Sequence, residues 1–233
     1  MGSIVADLPT SARAHVNYAT ELQEAGRADE AAKEFAEAIR LNPGSAKAHV
    51  NLGSLLTTKG ELDQAESHFE QALRIEPKNA EYHSGYAYLL DQLGRKDQAA
   101  SECETAIRLA PKSPQAHYGY GAFLEKHGQP EEAIAKYRQT LQLDPAHVDA
   151  HIDLGSLLLE KGELTEAREH FEKASELNPK LAQPHNYLGK VLMREGNVSQ
   201  AIAQFEEALR LHPDFPEAEQ NLRIAKGTSA QSP

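Results

Sequence analysis

Tryptophan is absent from this chain of 233 residues, cysteine occurs once, and aromatic side chains make up only 6% of it. The lone Cys103 has no internal partner, so no disulfide framework holds the fold, which fits a reducing compartment. No stretch approaches the ~18 consecutive apolar residues that a bilayer-spanning helix needs. The first residues, Met1 to Asp7, lack the basic stretch and apolar run of a secretory signal. The expectation is a soluble, unexported, cytoplasmic chain that does not insert into membranes. Blocks of positive charge are missing too: 24 Lys and Arg stand against 35 Asp and Glu, a net charge of −11. Such a field repels phosphate backbones, which excludes nucleic acid as an expected partner. β-Branched residues are sparse, and Ala, Leu, Glu, Lys and Gln dominate, the palette of an all-α chain.

What is present is a ruler. Prolines fall at Pro43, Pro77, Pro111, Pro145, Pro179 and Pro213, each 34 residues after the last. At a fixed offset before each stand Gly26, Gly60, Gly94, Gly128, Gly162 and Gly196, and at another Ala31, Ala65, Ala99, Ala133, Ala167 and Ala201. A third offset holds Phe35, Phe69, Cys103, Tyr137, Phe171 and Phe205. The glycine separates two apolar-periodic segments, where a helix ends with φ > 0, so each unit reads as helix, turn, helix. The small alanines allow close helix packing. The proline, with no N–H to donate, ends the second helix.

In each first helix, Tyr18, Leu52, Tyr86, Tyr120, Leu154 and Leu188 are followed four residues later by Leu22, Leu56, Leu90, Leu124, Leu158 and Leu192, on one apolar face. A small residue follows the first of each pair: Ala19, Gly53, Ala87, Gly121, Gly155 and Gly189. The pattern resembles the tetratricopeptide repeat, which carries Leu-Gly, Tyr, Ala, Phe, Ala and Pro at these offsets. The resemblance covers about residues 12–213. It implies a right-handed superhelical solenoid of six helix-turn-helix units at 12–45, 46–79, 80–113, 114–147, 148–181 and 182–215. A helix over 216–226 would cap its last apolar face. Residues 1–11 and 227–233 read as tails.

Chemistry-bearing residues mostly fold back into the repeat. His15, His49, His83, His117, His151 and His185 recur once per unit, where the family has Trp. Helices pack ~8–10 Å apart, so these rings do not converge on one ion and are expected to pack between the two helices of their unit. His147 and His151 have the spacing of two ligands on one helix face, but no third ligand accompanies them. Cys103 sits at a Phe offset and reads as a small buried hydrophobe. No nucleophile, base and acid cluster stands apart from the repeat, no phosphate loop is present, and neither cofactor nor metal is expected. The chain reads as non-catalytic.

The resemblance further implies that first helices line a concave groove, where residues vary between units. On that basis Arg13, Val16, Asn17, Lys47, Val50, Asn51, Tyr88, Asp91, Tyr118, Glu125, Ile152, Asp153, Leu159, Asn186, Tyr187, Lys190 and Arg194 are groove candidates. Tyr88, Tyr118 and Tyr187 are the expected anchors, because aromatic residues dominate interface hot spots. Asn17 and Asn51 look like the start of the asparagine ladder in O-linked N-acetylglucosamine transferases, which Gly85, Gly119 and Asp153 break. The carboxylate clamp of chaperone-binding members is not matched: around Asn51 its other positions hold Val16, Thr20, Glu81 and Gly85. The expected function is an adaptor that holds an extended or helical segment of another protein. The alternatives are a self-assembling element, working through the cap helix or convex face, and a regulatory module detached from a glycosyltransferase. Monomer or weak homo-oligomer is the expected state.

Overall fold

The computed structural model describes residues 11–229. Its helices are α1 (Ala12–Glu24), α2 (Ala28–Leu41), α3 (Ala46–Lys59), α4 (Leu62–Ile75), α5 (Ala80–Gln92), α6 (Lys96–Leu109), α7 (Pro114–Lys126), α8 (Pro130–Leu143), α9 (Val148–Lys161), α10 (Leu164–Leu177), α11 (Ala182–Arg194), α12 (Val198–Leu211) and α13 (Pro216–Ser229). No strand occurs among the described residues. The chain forms two compact units, Met1–Lys112 and Ser113–Pro233. In the first, α1 packs on α2, α3 on α4 and α5 on α6, and α2 also packs on α3 and α4 on α5. The second unit repeats the arrangement from α7 to α12 and adds α13 against α11 and α12.

Local chemistry fixes each boundary. The N–H of Gly60 bonds the Thr57 carbonyl and that of Glu61 the Leu56 carbonyl, and the same pair of bonds recurs at Gly26, Gly94, Gly128, Gly162 and Gly196. All six glycines have φ between +73° and +81°. This reversal satisfies the carbonyls that a helix end leaves unpaired. At the starts, the side chains of Ser11, Ser45, Asn79 and Ser113 cap α1, α3, α5 and α7. A Cβ added at Gly162 would meet nothing within 4 Å, so only backbone strain opposes a side chain there. Gly162→Ala is expected to cost about 1–2 kcal/mol, read as a lower urea midpoint at unchanged m-value.

The core is built from a recurring exchange of volume. A Cβ at Gly121 would lie 2.7 Å from the Tyr137 ring, one at Gly155 2.8 Å from Phe171 and one at Gly53 3.0 Å from Phe69. The first helix gives up its side chain so that the aromatic ring of the second can fill the space. Two pairs carry a methyl group in place of the glycine, Ala87 at the position paired with Cys103 and Ala19 at that paired with the Phe35 ring, and all four residues are buried. Thr140, at an alanine offset in α8, is fully buried and donates its hydroxyl back to the Lys136 carbonyl at 3.0 Å.

The closing helix differs from expectation in length. α13 runs three residues past Lys226, to Ser229, and Thr228 donates its hydroxyl to the Ile224 carbonyl. Its glycine, Gly227, does not stop it, because no positive φ occurs there. Ser11, assigned to the leading tail, is the N-cap of α1. The rest of that tail and residues 230–233 lie outside the described residues. Within α13, exposed Arg223 and Lys226 stand where α11 carries Gly189 and Leu192.

Candidate partner-binding face

In the first unit the candidates lie on α1, α3 and α5. Arg13, Asn17 and Lys47 are exposed, Asn51 and Asp91 are half-buried, and the Tyr88 side chain is 60% exposed. Tyr88 is the most exposed of the large apolar side chains in the described chain.

In the second unit the candidates on α7, α9 and α11 engage one another. The Tyr118 hydroxyl donates to Asp153 at 2.9 Å, and the Tyr137 hydroxyl donates to Glu125 at 2.6 Å. The Tyr118 ring lies 5.7 Å from that of Tyr137 and 4.6 Å from that of His147. Burial pushes the Asp153 carboxyl up to about 6, with further upward pressure from Glu125 and Asp149, while the Tyr118 hydrogen bond pulls it down. Tyr187 stacks on Phe171, centroids 4.8 Å apart and planes 4° from parallel. The Lys190 ammonium lies 4.9 Å from the Tyr187 centroid and 3.0 Å from Glu217. Arg194 donates to the Leu159 carbonyl.

The structure thus departs from the sequence reading in two ways. Tyr118 and Tyr187 are half-buried supports, each spending its ring or hydroxyl on its own unit. Val16, Val50, Ile152, Leu159 and Asn186 are buried, not groove-lining, at 0–7% exposure. For Tyr118 and Asn186 the reason is a contact between residues 35 apart, at which one first helix meets the next: Tyr118 with Asp153, and Asn186 with Asn221, which donates its side-chain amide at 2.9 Å. Tyr137, which its offset marks only as core, reaches this face through its hydroxyl.

The histidines pack as expected. His15 meets Glu34, His83 meets Glu102 and His185 meets Gln204, each from the first to the second helix of a pair. Unforeseen are two histidine–histidine contacts, His49 with His68 at 3.0 Å and His151 with His170 at 2.9 Å between Nδ1 atoms. His147 caps α9, accepting from the Ala150 N–H at 3.2 Å. No group of three His, Cys, Asp or Glu able to hold a metal occurs among the described residues. Cys103 is buried, and burial pushes its thiol up to about 12, which keeps it protonated and unreactive at neutral pH. No described helix is long and apolar enough to cross a membrane.

Family models described as Tetratricopeptide repeat match residues 17–80, 56–123, 124–191 and 182–215. The chain belongs to the tetratricopeptide repeat family. Solved structures with the same fold include the APC/C heterotetramer Cut9–Hcn1, with TM-score 0.80 and 18% identity over 94% of this chain and 44% of that one. The type IV pilus biogenesis factor PilW gives TM-score 0.78 and 22% identity over 91% and 98%. YrrB, described as a TPR protein with an unusual peptide-binding site, gives 0.61 and 24% over 81% and 97%. This chain therefore spans less than half of the Cut9–Hcn1 chain it matches and nearly all of PilW and YrrB. A search of curated proteins finds no match of significance. Proteins of this family are in general scaffolds for protein interaction.

Proposed function

We propose that the chain is a non-catalytic adaptor that holds a segment of another protein against its first-helix face. Exposed Tyr88 carries this reading. An aromatic ring left in water on a rigid helical surface costs solubility and gains its full apolar contact only when covered. The neighbouring Asp91 and, on the other units of the same face, Arg13, Asn17, Lys47 and Asn51 supply charge and amide groups that fix the register of a docked backbone. In the second unit, Glu125, Asp149 and Asp153 beside Tyr118 favour a cationic stretch of partner, and Lys190 and Arg194 favour an anionic one. A bound peptide of mixed charge, basic where it crosses α7–α9 and acidic near α11, suits these surfaces.

The test is a photo-crosslinking capture with a light-activated residue at position 20, which shares the Tyr88 offset, followed by titration of the recovered partner segment. Tyr88→Ala is expected to weaken binding by tenfold or more, as truncation of an aromatic anchor does. An unchanged partner set and affinity would remove the first-helix face as the seat of binding.

A further inference from the structure

Two of the helix pairs hold imidazole against imidazole. From α1–α2 to α11–α12, the second-helix offset that faces the recurring histidine carries Glu34, His68, Glu102, Lys136, His170 and Gln204. Glu34 and Glu102 give His15 and His83 a carboxylate, and Gln204 gives His185 an amide oxygen. An acceptor oxygen is thus enough to hold such a pair together. In α3–α4 and α9–α10 the place is taken by a second ring, and a neutral contact between two histidines forgoes the charge assistance of a carboxylate. What it adds is a second ring nitrogen, His68 Nδ1 at 3.0 Å from His49 Nδ1 and His170 Nδ1 at 2.9 Å from His151 Nδ1.

Both pairs are oriented as metal ligands are. The Nε2 atoms of His49 and His151 lie 3.2 Å and 3.0 Å from the Pro43 and Pro145 carbonyls. A carbonyl only accepts, so Nε2 carries the hydrogen and Nδ1 keeps its lone pair, the state in which a second-shell carbonyl holds a ligating histidine. The two rings are buried, at 7% and 8% exposure. The ring centroids of the pairs are 5.3 Å and 5.1 Å apart. With nitrogens 3.0 Å and 2.9 Å apart, these separations place both Nδ1 atoms on the line joining the rings. The two nitrogens therefore face each other head-on. Behind His170, Glu166 lies 3.7 Å from Nε2, where it can accept that nitrogen's hydrogen.

We infer that each pair is a two-coordinate site for a monovalent copper or silver ion, held in line between the two Nδ1 atoms. Imidazole suits copper, and head-on nitrogens suit linear coordination. Zinc instead takes three or four protein ligands in a tetrahedron, and no group of three ligands able to hold a metal occurs among the described residues. Charge points the same way. Around the α9–α10 pair Lys173 and Arg138 offset Asp144 and Glu166, so no excess of negative charge draws a dication. A metal–imidazole bond is ~2 Å long, so seating the ion asks the nitrogens to part by about 1 Å. His68 and His170 are only half-buried and have room to move outwards. On binding, the hydrogen between the Nδ1 atoms leaves, Nε2 of His68 or His170 takes one up through water, and two nitrogen–metal bonds form. No proton is lost overall. The sites lie within single helix pairs and do not depend on the first-helix face.

The probe is silver nitrate, titrated by calorimetry in chloride-free buffer into the full chain carrying Cys103→Ala, which removes the thiol as a competing ligand. Two tightly bound ions per chain are expected. His68→Gln and His170→Gln should each leave one, and the double variant none. Glutamine already faces His185 at this offset, so the variants keep a hydrogen bond across the pair, and a thermal melt checks that they fold. Zinc nitrate should bind at least tenfold more weakly than silver. In long-range proton–nitrogen spectra the Nδ1 signals of His49, His68, His151 and His170 should shift while Nε2 of each stays protonated. With Cu(I) supplied as its acetonitrile complex without oxygen, X-ray absorption should show two nitrogen ligands. Silver stoichiometry unchanged in the double variant, zinc bound as tightly as silver, Nδ1 signals that do not move, or three or more copper ligands would each overturn the inference.

Discussion

Phe171→Ala is expected to lower stability by about 3–5 kcal/mol, the usual cost of removing a buried phenyl ring. The ring is fully buried, faces Gly155 in its own pair and stacks on Tyr187 of the next first helix. Its loss therefore weakens both the pair and the stack. Gly155→Ala alone should also destabilise, because a Cβ would lie 2.8 Å from the ring, well inside ordinary contact. Combined, the two changes should be clearly less damaging than their sum, since removing the ring makes room for the methyl group. Urea unfolding of the four proteins tests this. Strict additivity would mean that the glycine and the ring do not share the space the structure gives them.

Stability is expected to fall as the solution is acidified from pH 7.5 to 5.5, and the two histidine pairs are the cause. The Nε2 of His49 lies 3.2 Å from the Pro43 carbonyl and that of His151 3.0 Å from the Pro145 carbonyl. A carbonyl only accepts, so each Nε2 carries its hydrogen, and in the neutral ring Nδ1 must accept from His68 or His170. A proton added at Nδ1 of His49 or His151 sets two N–H groups against each other across about 3 Å, whereas one added at Nε2 of His68 or His170 leaves that bond in place and is opposed by burial. Burial lowers the His68, His151 and His170 values, and the charge of the paired ring adds to this for His68 and His170. Glu166, 3.7 Å from the His170 Nε2, opposes the shift, whereas Arg138 near His170 and Lys173 and His147 near His151 reinforce it.

The direction follows from proton counts. Below the unfolded value of ~6.5 the unfolded chain binds protons that the folded pairs refuse, so stability drops as pH falls through it. Asp153 acts the other way. Raised to about 6 in the fold, against ~3.9 unfolded, it takes up a proton more readily when folded and regains stability as pH falls from about 6 towards 4. The first unit has no such offset described and should show the cleaner loss. Glu34 and Glu102 already stand at the His68 offset and pair with His15 and His83. The double variant His68→Glu, His170→Glu should therefore fold and lose most of the acid sensitivity. Each kcal/mol corresponds to about 2–4 °C in melting temperature for a chain of this size. Equal acid slopes for wild type and variant would clear the histidine pairs of any part in it.

Helix order and turns were legible because they rest on residues whose constraints are local and repeat. Gly60 and its counterparts reverse the chain, the prolines follow the second helices, and the exchange of Gly121 for the Tyr137 ring shows as paired offsets. The burial of Val16, Val50 and Ile152 was not legible. Their variation between units suggested a free surface, yet all three are buried, and a contact between successive first helices can change both its members together, as Tyr118 with Asp153 and Asn186 with Asn221 show. The histidine pairs were hidden for a related reason. The His68 offset holds Glu34, Glu102, Lys136, His170 and Gln204 in the other pairs, so no single residue type marks it.

The charged residues of α13 limit how molecules of this kind can join. A further second helix would have to lie against the positions of Arg223 and Lys226, and both bring charge and bulk where glycine and leucine receive such a helix elsewhere. On α13 the face that receives a second helix elsewhere in the stack is thus charged and turned to water, which marks this helix as the closing element of the repeats.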